Sequence, residues 1–171
     1  MKTLRILSVA AFAALSMFTS ANINAAGKEV DTMNKFSTLC FGDGITIEMM
    51  AGDTPSIQTS DNSVCYTIDA GVLTISHLGT GKTKVKICAP DIKSIQYTGD
   101  TYTKIYGKIV ADDLLISASG KGDVNVSDAN ANNMVCVVLS DGDIRFANLT
   151  SKHIAKSIYG NGQVINAGKT L

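Results

Sequence analysis

Two aspartates twenty residues apart, Asp123 and Asp143, sit in matching phrases, Gly122-Asp123-Val124 and Gly142-Asp143-Ile144. If such units stack, their carboxylates line up about 4.8 Å apart. A carboxylate ladder could hold calcium, which takes about six to eight oxygen ligands. Two features argue against that chemistry. Calcium-binding nonapeptide solenoids repeat about every nine residues, and the third copy carries Gln163 where the acid should be. The acids read better as turn formers that hydrogen-bond to nearby backbone.

Other reactive residue types are scattered. His77 closes a strand in Ser76-His77-Leu78 and His153 lies in the polar stretch Ser151-Lys152-His153, so both are expected in solvent-facing loops. No Gly-x-Ser-x-Gly elbow supplies a nucleophile for either. Gly79-Thr80-Gly81-Lys82-Thr83 lacks the spacing of a phosphate loop, and no helical pattern follows it to present N–H groups to an anion. No catalytic, cofactor-binding or metal-ligating residue is therefore assigned. Cys40, Cys65, Cys88 and Cys136 are even in number and lack zinc-site spacing, so in an exported chain they are expected to form disulfides of undetermined connectivity. Tyr97, Tyr102, Tyr106 and Tyr159 fall near repeat corners, where an amphipathic ring can stack on a sugar or anchor a protein partner. Tyr102 and Tyr106 are the preferred pair because their loop is the least repeat-like.

The elements that must position these residues are strands. Apolar residues alternate at period two between clusters of Gly, Asp, Asn and Ser. Candidate strands are 37–41, 45–50, 56–59, 64–68, 72–76, 84–89, 94–97, 114–118, 134–139 and 156–159. Short ones are also expected at 124–126, 144–146 and 164–165. In Lys84-Val85-Lys86-Ile87 the lysines face water and the aliphatic residues face inward. Gly122, Gly142 and Gly162 mark a period of 20, with a weaker copy at Tyr97–Asp100. Such a period, with two strands per unit, predicts an all-β, right-handed β-helix or β-solenoid with stacked coils of about 20 residues. Its corner glycines would supply positive φ. A sandwich of short hairpins is the structural alternative.

The N-terminus reads as a leader. Lys2 and Arg5 precede the apolar run 6–18, and small residues at Ala21 and Ala26 offer cleavage points. The run is shorter than the roughly 20 apolar residues a membrane-spanning helix needs. The first cysteine, Cys40, is too far away for lipid attachment at the leader. We therefore divide the chain into a signal peptide, 1–26, and a single domain, 27–171, with no integral membrane segment after cleavage. Removing Lys2 and Arg5 leaves 13 basic residues against 15 acidic ones, which gives no electrostatic footprint for nucleic acid.

The leader, the strand 84–90 running into Ile92-Lys93-Ser94-Ile95, and the serial Ser-Gly-x-Gly-Asp-Val/Ile units resemble a known family. The chain is similar to the putative auto-transporter adhesin head GIN-domain family of secreted envelope proteins, from about Phe36 to Asn166. The motif is closest at 120–124. Ser140-Asp141 replaces the first glycine of the second copy, and Gln163 replaces the acid of the third. The resemblance implies a β-helical fold and an adhesin role without catalytic residues. The expected function is thus an exported, periplasmic, cell-surface or extracellular binding protein, not an enzyme. It would take no cofactor and would meet an unknown protein or glycan at the cell envelope. The unpaired edge of the last unit suggests homo-oligomers. A carbohydrate-active β-helix enzyme and a purely structural envelope component are the alternatives.

Overall fold

Alternation at residues 45–50 and 83–88 becomes two strands whose inward side chains, among them Ile47, Val85 and Ile87, are fully buried. The computed structural model describes residues 24–25, 31–32 and 35–171. Apart from Asn24 and Ala25, the expected leader lies outside the described residues. In chain order the strands are β1 (Asn24–Ala25), β2 (Asp31–Thr32), β3 (Thr38–Gly42), β4 (Ile45–Met50), β5 (Ser56–Gln58), β6 (Val64–Asp69) and β7 (Val72–His77). They continue with β8 (Thr83–Cys88), β9 (Ser94–Thr98), β10 (Thr103–Ser119), β11 (Val124–Val138), β12 (Ile144–Ile158), β13 (Val164–Asn166) and β14 (Lys169–Thr170).

The all-β expectation holds, but the right-handed β-helix of stacked coils does not. The strands form one mixed sheet that is neither closed nor curled. Antiparallel pairs β6–β7, β5–β8 and β13–β14 are built into it. The unit is also different. In place of two short strands around a corner, each period is one long strand, of 17 residues in β10 and 15 in β11 and β12. The stretches between the expected short strands bury only Ile109 in β10 and the small Ala129 and Ala131 in β11, so the apolar alternation is weak there although the backbone stays paired. Side-chain ladders help hold them: Asn132 Nδ2 donates to Asp112 Oδ1 at 2.8 Å and Asn133 Nδ2 to Asp113 Oδ1 at 2.7 Å. The period of 20 survives as a register, with Val124 opposite Ile144 and Ile144 opposite Val164.

Because the register repeats, like residues meet in rows. Leu39, Ile95, Ile116 and Cys136 follow one another across β3, β9, β10 and β11, all fully buried. A second row runs Val85, Ile47, Ile105, Val126 and Phe146. Each buried aliphatic side chain contributes about 1.5–3 kcal/mol. The first row ends differently: opposite Cys136 stands Lys156, exposed on β12. Among the described residues no strand pairs with the outer edge of β12 beyond Phe146, and Ile154, Ile158 and, just past its end, Tyr159 remain exposed.

The corners correct the expected role of their glycines. Gly122, Gly142 and Gly162 do not have positive φ. A β-carbon on them would overlap the carbonyl oxygens of Thr101, Gly122 and Gly142 in the preceding turn. These glycines are therefore selected by close approach of one turn to the next. Positive φ is found at Gly120 (118°), the first glycine of the first copy, and in the two-residue hairpins Ala70-Gly71 (46° and 78°) and Ala167-Gly168 (48° and 77°), the type I′ geometry that matches the twist of antiparallel strands.

The expected disulfides are absent, and all four cysteines are free thiols. The register explains why. Cys40 lies opposite Thr74 and Gln96, Cys65 opposite Ser76, Cys88 opposite Ser56 and Met50, and Cys136 opposite Ile116 and Lys156. No two cysteines are paired across neighbouring strands. Burial pushes the Cys40 thiol up and that of Cys136 up to about 12.

Candidate binding face

At the start of β10, alternation buries Thr103 and Ile105 and turns Tyr102, Lys104 and Tyr106 outward. Thr103 Oγ1 anchors this segment, donating to the Ile45 carbonyl at 2.6 Å. After Tyr106 the ladder shifts register, with Gly107 at φ 85°. Its neighbour β4 places Glu48 opposite Tyr106, and β8 places Lys86 opposite Glu48. One outward face therefore gathers two tyrosines and several lysines that are distant in sequence.

The ammonium of Lys104 stands between the two rings, 5.8 Å from the centroid of Tyr102 and 5.6 Å from that of Tyr106. Lys82 flanks Tyr102 at 5.2 Å and Lys84 flanks Tyr106 at 5.5 Å. At exposed sites such contacts are each worth about 0.5–1 kcal/mol. Hydrogen bonding to Tyr102, aided by the charge interaction with both phenols, holds the Lys104 pKa above the usual lysine value. Lys84 is neutralised by Glu48 at 3.4 Å. Among the described residues, no carboxylate pairs with Lys82, Lys86 or Lys104.

Beside this patch lies a groove of about 360 Å³. Across it the register runs Lys104, Asn125, Arg145, Ile165. Tyr102 forms part of one wall, and the turn Ala167-Gly168 forms part of its lining. The Nδ2 of Asn125 is buried and has no hydrogen-bond partner among the described residues. No histidine, cysteine or carboxylate lines the groove, so it offers neither a nucleophile–base pair nor the paired carboxylates of a glycosidase.

The aspartates lie at the corner and are engaged there. Asp123 Oδ1 accepts the Asp143 N–H at 2.9 Å, and Asp143 Oδ1 accepts the Gln163 N–H at 2.7 Å. Their other oxygens hold Arg145, with Asp123 Oδ2 at 3.3 Å from its Nε. Gln163 continues the ladder through its backbone, which is why losing the acid there does no harm. Asp43, which the sequence did not single out, fills a similar role two units earlier, at the turn before β4. It accepts from Thr101 N at 2.8 Å, Thr101 Oγ1 at 2.7 Å and Tyr97 Oη at 3.0 Å. Among the described residues, no group of three His, Cys, Asp or Glu side chains is placed to hold a metal ion.

Tyr97 is not on the surface. It is 1% exposed, packs on Phe41 with centroids 5.4 Å apart, and donates to Asp43 and the Thr101 carbonyl. Tyr159 is 74% exposed but lines no part of the groove. His77 departs from the expected exposed loop. Its side chain is 4% exposed, with Nε2 at 3.1 Å from Asp61 Oδ2, and it packs near Gly44 and Gly79. His153 is exposed on β12. Lys104 was missed, although the spacing Tyr-x-Lys-x-Tyr places all three on one face of any strand.

The fold and this face define a β-sheet protein with an aromatic, cationic surface. The chain belongs to the family described as putative auto-transporter adhesin, head GIN domain, which matches residues 35–170. No curated protein is similar to it. Among solved structures it is similar to a putative adhesin from Parabacteroides merdae, at 16% identity over 81% of this chain and 94% of that one, TM-score 0.40. A putative adhesin from Bacteroides fragilis matches at 15% identity over 81% and 95%, TM-score 0.43. A putative lipid binding protein from Parabacteroides distasonis matches at 14% over 81% and 96%, TM-score 0.31. No helix among the described residues is long and apolar enough to cross a membrane.

Proposed function

We propose that this chain is an exported, adhesin-like binding protein of the cell envelope, without catalytic activity, and that its ligand docks on the face built around Tyr102 and Tyr106. Family membership supports the adhesin class. The observation that carries the placement is Lys104 held between two exposed aromatic rings beside an open groove. Exposed tyrosines supply large contact area with little conformational entropy to lose, which suits them as binding anchors. The mature protein, residues 27–171, is the functional unit in this reading. Tyr97, committed to the core, has no part in recognition.

The test is a screen of the mature protein against glycans and envelope components, with Tyr102→Ala and Tyr106→Ala alongside. Each substitution should weaken binding by about tenfold or more, as for anchor residues at an interface. A ligand whose affinity neither substitution alters would place the site elsewhere.

A further inference from the structure

We infer that the ligand of this face is an acidic glycan, with sugar rings against Tyr102 and Tyr106 and a ring carboxylate on Lys104. The inference rests on the binding face proposed above and adds the chemical class.

Three observations lead to it. First, the face has unneutralised positive charge. Glu48 is spent on Lys84, and Asp123 and Asp143 are spent on backbone N–H groups and Arg145. Lys104 is left between the rings with no carboxylate of its own, although the chain as a whole has no net charge. Second, the aromatic groups alternate with cations: Lys82, Tyr102, Lys104, Tyr106, Lys84. A uronate polymer alternates in the same sense, since each sugar has an apolar C–H face that stacks on an aromatic ring and a carboxylate at its edge. Third, the buried Asn125 amide nitrogen beside this array lacks an acceptor. A buried unsatisfied donor costs about 1–3 kcal/mol, and a sugar hydroxyl or carboxylate oxygen entering the groove removes that cost.

A lipid surface fits less well. Membrane binding calls for a broad basic cluster with apolar side chains to insert. Here Lys84 and Arg145 are already paired with acids, and the exposed aliphatic residues are spread out, with Leu78 after β7, Val110 on β10, and Ile154 and Ile158 on β12, rather than gathered around Lys104.

The test compares binding of the mature protein to polygalacturonate, to the same polymer fully methyl-esterified, and to phosphatidylglycerol vesicles. Polygalacturonate should bind at low salt and weaken as salt rises. The neutral ester should bind about tenfold more weakly, and Lys104→Gln should lower the polygalacturonate affinity by a similar factor, about the worth of one charge-assisted hydrogen bond. Tyr102→Ala with Tyr106→Ala should remove binding to both polymers. Equal affinity for acid and ester, unchanged by Lys104→Gln but lost with the tyrosines, would overturn the acidic class and leave the face intact. Polygalacturonate binding that ignores the tyrosines would overturn the face itself. Binding to the vesicles alone, or to none of the three, would overturn the inference.

Discussion

Replacing Gly142 by asparagine separates two reasons for a turn glycine. If the residue were there for positive φ, asparagine would serve nearly as well, since it visits that region more readily than other side chains. The structure gives another reason: a β-carbon at Gly142 would overlap the carbonyl of Gly122, one register unit earlier. Forcing atoms into a packed site costs about 1–3 kcal/mol. Displacing the turn also weakens the bond from the Gly142 N–H to the Gly120 carbonyl, 3.3 Å long, for about 1 kcal/mol more. The sum is about 2–4 kcal/mol, which moves a urea midpoint down by about 1–2 M for a domain of ordinary m-value. Gly71→Asn is the control, because Gly71 has φ 78° and no atom within 4 Å of its would-be β-carbon. Its cost should stay below about 1 kcal/mol. Equilibrium urea unfolding followed by circular dichroism measures both. If Gly142→Asn shifts the midpoint no further than Gly71→Asn, the close-approach reasoning is refuted.

Ala70→Gly and Ala167→Gly should each stabilise by about 0.5–1 kcal/mol, because alanine is strained at φ 46° and 48°; a melting temperature that falls would contradict the turn geometry. Burial works to raise the Asp43 pKa, but its hydrogen bonds from Thr101, Asp100 and Tyr97 outweigh it and hold the carboxyl below the usual aspartate range. Its contribution is whole above the ordinary carboxyl pKa and is lost as pH falls through the depressed value, so Asp43→Asn should flatten the stability profile below about pH 4. Tyr97 has the opposite dependence: burial pushes its phenol up to about 12, so its contribution is whole below about pH 10 and is lost as pH rises through that value. Tyr97→Phe should therefore blunt alkaline unfolding. Thiol titration of the protein unfolded without reductant should return all four cysteines, while in the native state Cys136 and Cys88 should react far more slowly than Cys65; two thiols or none would reinstate a disulfide.

Where one face of a strand is apolar and the other polar, the sequence was readable. The expected strand 45–50 coincides with β4, those expected at 64–68 and 72–76 stop one residue short of β6 and β7, and the one expected at 84–89 is shifted by one residue from β8. Inside β10 to β12 the segments 108–113, 128–133 and 148–153, where small or isolated apolar residues are mixed with polar ones, hid the continuity of long strands. Their pairing is carried by backbone register and Asn–Asp contacts between units, to which periodicity is blind. The period of 20 was visible, but not the mixed sheet it belongs to, because antiparallel pairs such as β5–β8 join segments about 30 residues apart. Tyr102 and Tyr106 were found as candidates from their irregular loop. Lys82 and Lys84 could not be added to them, since only the sheet order β8–β4–β10 brings residues near 83 beside residues near 104.

Lys156 has a consequence for the protein at high concentration. It occupies the position on β12 that continues a row of buried aliphatic residues and a thiol. A further strand laid along that edge, from another copy or from an unfolded chain, would enclose an ammonium group where the row calls for a methyl group. Enclosing an unpaired charge is costly, and an inward charge on a border strand is a known guard against runaway pairing. The exposed Ile154 and Ile158 alongside it would otherwise make this border adhesive. Lys156→Val should accordingly make the protein turn turbid or fibrous at concentrations where the parent chain stays clear, so that one charged side chain limits how far the sheet can grow by adding copies.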